Sequence, residues 1–126
     1  MRRTDQRKEA VFALYQRDVT DRSLSDLLAG AKPFSRELAE GTDSNLGAID
    51  AEIASLARGW TLERIAPLDR AILRVALYEM LHSEGVPPEI AIDEAVGLAK
   101  EFCGADAPNF INGILGAAAR QAGVAT

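Results

Sequence analysis

Apolar residues recur every three to four positions along nearly the whole chain, which is the spacing of one face of a helix and not of a strand. This spacing predicts a first helix over about 4–19, a short helix around 24–28 and a long helix over about 34–57. Gly41 and Gly47 fall inside the long helix, where each costs up to about 1 kcal/mol relative to alanine. A bend or a split of this helix is therefore expected near them.

The second half of the chain predicts a central helix followed by two more. A short turn precedes the segment 67–82, which is apolar almost all round and is therefore expected to lie inside the other helices. A loop over 84–88 follows, and after it come two helices, the last of which has Asp106 as its expected N-cap. We predict one all-α domain over 1–126, with six or seven helices.

Composition narrows the function classes. Apolar residues make up 48% of the 126 residues, enough for a core, and no stretch reaches the roughly 20 apolar residues of a membrane span. The single cysteine, Cys103, excludes an internal disulfide and favours a reducing compartment, so we expect a cytoplasmic protein. One cysteine and one histidine make no familiar metal-ligand set, and neither a phosphate-binding glycine loop nor an acid–base constellation is present. We therefore expect no enzyme, no metal and no cofactor.

The net charge of −5 means that any binding of nucleic acid must come from a local basic patch. Four cations stand within the first eight positions: Arg2, Arg3, Arg7 and Lys8. Arg3 and Arg7 continue the line of the first helix's apolar stripe, so we expect them to project from the end of the bundle. A solvated helix start is the alternative, although positive charge is unfavourable at a helix N-terminus.

Glu79 is the exceptional residue of the central helix, because it shares a side with Leu68, Ile72 and Val75. A carboxylate in that position either pairs with a buried cation or emerges where another molecule docks. Both interpretations stay open at this point.

Three further residues have a structural and a functional interpretation. Phe110, in the first turn of the last helix, either packs into the core or offers a ring on which a nucleobase stacks. Asp106 is first of all a helix cap, with a nucleobase contact as the alternative. Tyr15 lies at the edge of the first helix's stripe, where its ring is buried and its hydroxyl reaches water or a partner.

Several stretches, in order, resemble the NusB family. The first helix carries Arg7-x-x-Ala10-x-x-x-Leu14-Tyr15, the segment 60–81 is similar to the family's central helix, and 90–115 is similar to its two C-terminal helices. Only about 18–57 is matched by helical length alone. The resemblance implies two packed helical subbundles and neither a catalytic step nor a cofactor.

The resemblance also implies partners and sites. NusB-like proteins pair with the ribosomal protein NusE, and the pair binds the single-stranded boxA element of ribosomal-RNA leader transcripts. Within an RNA polymerase complex this suppresses premature termination. By position, the RNA-binding residues implied are Arg3, Arg7, Asp106, Asn109 and Phe110, and the partner surface includes Tyr15 and Glu79.

The chain departs from the family pattern in two places. Thr4-Asp5-Gln6 interrupts the arginine tract, and Asn109 stands where a lysine is common. Fewer phosphate contacts predict weaker binding and a shallower salt dependence. A NusB-fold protein-interaction module with weak or no RNA binding is therefore the alternative function, and a homodimer that covers the RNA surface is a third.

Overall fold

The computed structural model describes residues 1–83 and 85–122, and within these ranges the protein is helical with no strand. A short 3-10 helix (Leu62–Arg64) lies between the fourth and fifth of the α-helices. The helices are α1 (Arg3–Val19), α2 (Leu24–Leu27), α3 (Pro33–Ser44), α4 (Leu46–Leu56), α5 (Pro67–His82), α6 (Pro88–Phe102) and α7 (Ala107–Gln121). The predicted all-α fold is confirmed. Glu84, part of the predicted loop, lies outside the described residues.

The helix α5 is the centre of the fold, as its all-round apolar pattern predicts. It packs against α1, α3, α4, α6 and α7, and Leu73 and Leu77 in its middle are fully buried. Two groups of helices share it: α1 packs with α2 and α3, and α7 packs with α6 and α4. One continuous apolar core includes residues from each of these seven α-helices.

The predicted long helix over about 34–57 is split in two, as its glycines allowed: the chain breaks between α3 and α4 at Asn45, which lies between Gly41 and Gly47. The side-chain amide of Asn45 donates to the carbonyl of Gly41 at 2.8 Å, and the backbone N–H of Asn45 also bonds within the last turn of α3. A side chain that bonds the local backbone in this way competes with continuation of a helix. The side chain of Asn45 therefore stabilises the break at this position.

Gly41 has a packing role that its helical position hides. A Cβ atom added at Gly41 would overlap the ring of Tyr78, so the absent side chain lets α3 approach α5 closely. Glycine lowers helix stability at this position, but only glycine leaves room for the ring of Tyr78.

Two arginines of α5 fix the start of the central helix. Arg70 pairs with Asp18 of α1 at 2.8 Å and donates to the carbonyls of Leu62 and Ile65. Arg74 binds Asp50 of α4 through two hydrogen bonds of 2.8 and 2.9 Å. These contacts tie α1, α4 and the turn before α5 to the same end of the central helix.

Candidate nucleic-acid interface

Arg7 and Glu79 form a buried ion pair between α1 and α5. The guanidinium of Arg7 donates to both carboxylate oxygens of Glu79, with the Nη2–Oε2 distance at 2.5 Å and the two Nε contacts at 2.9 and 3.1 Å. Arg7 is 5% exposed and Glu79 is 1% exposed. The hydrogen bond to Glu79 raises the pKa of Arg7, although burial acts in the opposite direction. A charge-assisted, two-pronged bond of this kind fixes both position and orientation.

Side chains from two further helices surround this pair. Glu94 of α6 lies 3.7 Å from Nη1 of Arg7 and accepts a hydrogen bond of 2.9 Å from the hydroxyl of Thr4. The ring of Phe34 lies beside the guanidinium groups of Arg7 and Arg3, at 5.3 and 4.2 Å from its centroid. The pair therefore joins the start of α1 to α5, α6 and the start of α3.

The prediction that Arg7 projects from the end of the bundle is wrong, because its side chain turns inward to neutralise Glu79. For Glu79, the structure has the first of the two alternatives, the buried ion pair. Direct contact of either side chain with RNA or a protein would require the pair to open. Their roles in binding stay predictions. Arg3, one turn earlier, is exposed.

At the other end of α5, two aromatic rings lie together at the surface. Phe110 of α7 is half-buried, and its ring centroid lies 5.6 Å from that of Trp60 at a tilt of 60°. Trp60 is 49% exposed. Beside them lies a groove of about 300 Å³, which is lined by the two rings, Arg64, Ile65, Asp69 and Asp106 among others.

Asp106 and Asn109 are both exposed near this groove. Asp106 occupies the predicted N-cap position of α7, but its side chain makes no capping hydrogen bond. Within the described residues its carboxylate has neither a hydrogen bond nor an ion pair. Asn109 lines a second depression, on the other side of Phe110 and shared with Trp60 and Arg58. Both side chains are therefore available to a ligand.

The structure does not bring the predicted RNA-binding residues into one cluster. Arg7 contacts Glu79 near the end of α5 while Asp18 contacts Arg70 near its start, so α1 runs antiparallel to α5. Arg3 therefore lies towards the end of α5, and Phe110 lies towards its start. About 15 Å of helix separates Asp69, beside Phe110, from Glu79 at 1.5 Å per residue. Only an extended ligand would reach both.

The sequence alone did not identify Phe102 and Trp60 as surface residues. Phe102 is 40% exposed at the end of α6, with Phe12 edge-on at 5.1 Å and the ammonium group of Lys8 5.5 Å from its ring centroid. The position of Phe102 in the last turn of the helix could have indicated its exposure. Trp60 was part of the family pattern, but its exposure is visible only in the structure. Tyr15 is half-buried, with its ring edge-on to that of Phe12.

Cys103 is half-buried and directly follows the last residue of α6. Burial, together with a hydrogen bond to Asp69 and the charge of that carboxylate, raises the pKa of the thiol to about 12. The thiol is therefore protonated and a poor nucleophile at neutral pH.

Two other kinds of feature are absent from the described ranges. Residues 1–83 and 85–122 contain no group of three or more histidine, cysteine, aspartate or glutamate side chains placed to hold a metal ion. Over the same residues, no helix has both the length and the apolar character needed to cross a membrane.

Fold and surface together define the class: an all-α protein with an enclosed central helix and an exposed groove of aromatic and charged side chains beside the start of its last helix. The model of the NusB family matches residues 4–120. This chain therefore belongs to the NusB family.

Relatives and solved structures agree with this membership. A protein of Rubrobacter xylanophilus named transcription antitermination protein NusB is 42% identical over 91% of this chain and 88% of its own length. Another of that name, from Halalkalibacterium halodurans, is 41% identical over 91% of each chain. The structure of T. maritima NusB is 32% identical with a TM-score of 0.90, covering 96% of this chain and 92% of that one. At 21% identity, a complex of the antitermination factors NusB and NusE with dsRNA shares the fold, with a TM-score of 0.82 over 91% of this chain and 93% of that one.

Proposed function

We propose that this chain is a transcription antitermination factor that acts in the cytoplasm without catalysing a reaction. With a NusE-type ribosomal protein it binds boxA RNA in ribosomal-RNA leader transcripts and suppresses premature termination by RNA polymerase. The observation that carries this proposal is the family match over residues 4–120, which includes all of the candidate surface except Arg3. Relatives at 41–42% identity carry the name transcription antitermination protein, and a NusB of the same fold forms a complex with NusE and dsRNA.

The RNA side of the proposal rests on the start of α7. Phe110 offers a half-buried ring for stacking, and Asp106 and Asn109 are exposed beside it with side chains that can bond the edges of unpaired bases. Arg3 supplies a phosphate contact nearer the other end of α5, which an extended single strand would reach. The overall charge of −5 opposes RNA at long range, so binding depends on these local groups and on the protein partner.

The protein side of the proposal rests on α1. Tyr15 is half-buried, and its ring is held against Phe12, so its polar end can bond a partner without reordering. The pair of Arg7 and Glu79 acts behind this surface, since it fixes α1 on α5. In this proposal both are positioning residues, and they support Tyr15 and Arg3 without contacting the ligand.

One observation favours the alternative, a NusB-fold interaction module with weak or no RNA binding. The guanidinium of Arg7 is buried and paired with Glu79, so it is not available to a phosphate. The N-terminus, which has few arginines, therefore has one phosphate-binding cation fewer than its sequence suggests. Such a module would keep the protein partner and lose the RNA.

Fluorescence anisotropy of a labelled boxA-type RNA separates the two functions. The titration is made with this protein alone, with the NusE-type partner alone and with the complex, across a salt series. The antitermination factor is expected to bind RNA more tightly in the complex, with an affinity that falls as salt rises. A stable protein complex that binds no RNA even at low salt would establish the interaction module instead.

A further inference from the structure

We propose that Trp60 and Arg64 extend the RNA surface, so that the groove beside Trp60 and Phe110 holds one unpaired nucleotide. This inference rests on the proposed function and assigns a contact to two residues outside the set implied by the family resemblance. Trp60 and Arg64 both belong to the segment before α5, whereas Asp106 and Phe110 belong to the start of α7, so the groove joins two separate parts of the chain.

The exposure of Trp60 is the first observation. A tryptophan that is 49% exposed leaves a large apolar surface in water, and its partner Phe110 covers only part of it. The groove beside the two rings has a volume of about 300 Å³, at the lower end of the roughly 300–1,000 Å³ of ligand pockets. A flat, apolar ring with polar edges, such as a nucleobase, fits such a surface because every base has a face that stacks on an aromatic side chain.

The charges around the groove orient the nucleotide. Arg64 and Arg58 are exposed on either side of Trp60, and in the described part of the chain neither forms an ion pair with a carboxylate. Other cations near the core, namely Arg7, Arg70 and Arg74, are already paired with carboxylates. The two exposed guanidinium groups are therefore available to bind the phosphates on each side of a stacked base.

The carboxylates of Asp69 and Asp106 line the same groove and would repel a phosphate there. They therefore face the edge of the base. Within the described residues the exposed carboxylate of Asp106 has neither a hydrogen bond nor an ion pair, so it is available to accept a hydrogen bond from a base. An exocyclic amino group, as on cytosine, donates well to it, whereas uracil presents its single N–H between two carbonyl oxygens. The groove is expected to prefer an amino-bearing base.

The fact that Trp60 is the only tryptophan of the chain makes a direct test possible. The tryptophan fluorescence of the complex with the NusE-type partner is followed during titration with a boxA-type RNA. The same titration of the Trp60→Phe complex gives the signal of the partner, which is then subtracted. Stacking of a base on Trp60 is expected to quench its emission, with the same midpoint as the anisotropy titration. Oligo(C) is expected to quench at lower concentration than oligo(U) of equal length.

Variants test the same contact through affinity. Trp60→Ala is expected to weaken RNA binding by the complex by about tenfold or more, and Trp60→Phe should retain most of the affinity. Arg64→Ala should weaken binding less and reduce the slope of log affinity against log salt by about one. Arg120→Ala, which removes an exposed arginine from the opposite end of α7, and Leu81→Ala, which shortens an exposed apolar residue at the end of α5, are the matched controls.

Three results would overturn the inference. RNA binding by the wild-type complex with neither a change in Trp60 emission nor a loss of affinity in Trp60→Ala would remove Trp60 from the surface and leave the proposed function intact. A change in emission on adding the protein partner alone, with none on adding RNA, would assign the groove to the protein. No RNA binding by the wild-type complex at low salt would contradict the proposed function itself.

Discussion

The two ends of α5 use the same kinds of residue in opposite ways. At its C-terminal end, Arg7 and Glu79 are buried and bonded to each other, and the ring of Phe34 covers the guanidinium. At its N-terminal end, Trp60 is 49% exposed and the carboxylate of Asp106 is free within the described residues. The charged and aromatic side chains around Arg7 hold helices together, whereas those around Trp60 remain available to a ligand.

A charged residue of this fold contributes to stability where it is buried and to binding where it is exposed. Two charges removed from water must pair well, because each alone would cost several kcal/mol. Exposed charges have no such requirement, since water solvates them and surface pairs are worth little. The first end therefore depends on its ion pair for folding. At the second end Arg70 and Arg74 have the same structural role, whereas the exposed Trp60 and Asp106 are expected to tolerate substitution and to serve binding.

The largest effect is expected from the buried pair. Glu79→Ala leaves the guanidinium of Arg7 buried with only the more distant Glu94, and is expected to lower the free energy of unfolding by about 3–5 kcal/mol. Thermal denaturation should show a fall in Tm of roughly 10 °C or more.

Two controls sharpen this test. Glu101→Ala removes an exposed partner of Lys8 and should change stability by less than about 1 kcal/mol. Arg7→Met combined with Glu79→Leu removes both charges and should restore most of the stability lost in Glu79→Ala. A fall in partner affinity in Glu79→Ala with an unchanged melting curve would contradict the structural role and return Glu79 to the docking surface.

A smaller loss is expected at Gly41, which meets α5 next to the same end. Gly41→Ala places a methyl group against the ring of Tyr78 and should cost about 1–3 kcal/mol, as overpacking does. Gly97→Ala is the matched control, because Gly97 also lies within a helix but a methyl group added there would meet no side chain or neighbouring helix within 4 Å. This substitution should stabilise the protein by up to about 1 kcal/mol. Urea denaturation of both variants measures the difference. Equal stabilisation by both substitutions would show that the contact with Tyr78 is loose.

The smallest effect at neutral pH is expected at Cys103, because its thiol keeps the proton there in both the folded and the unfolded chain. The folded state keeps the thiol protonated up to a pKa of about 12, whereas the unfolded chain loses the proton near 9.0. The unfolded state therefore binds fewer protons between these values, and the contribution of Cys103 to stability falls as pH rises from about 9 to about 12.

Alkylation of the thiol at pH 8 measures this protection. The folded protein should react far more slowly than the protein unfolded in urea, and Asp69→Asn should speed the reaction, because it removes the charge that helps to raise the pKa. Equal rates in the folded and unfolded protein would show that the thiol is open to solvent.

Much of the fold could be predicted because each helix carries its own pattern. The all-round apolar segment over 67–82 identifies α5 as the central helix, and Pro67 marks its first turn. Asn45 could not be recognised as the break between α3 and α4, since a helical pattern continues on both sides of it and the bond of its side chain to Gly41 is a local choice.

The candidate site could be predicted only in part, because a helical pattern assigns a face but not a partner. Glu79 was identified as exceptional from its own helix, but Arg7 lies 72 residues away in sequence and packing alone brings the two together. Trp60 precedes its helix in a turn, where periodicity says nothing about exposure. Residues whose role depends on contacts between distant segments were the ones that the sequence left open.

The most direct test of the division between the two ends is the affinity of the complex with the NusE-type partner for a boxA-type RNA. This affinity is measured for two variants, one at each end of α5. Phe110→Ala is expected to fold and to bind RNA about tenfold or more weakly, whereas Arg7→Met combined with Glu79→Leu should bind it as the wild type does. Loss of RNA binding in the folded double variant, with full binding by Phe110→Ala, would place the RNA at the opposite end of α5 and contradict the division.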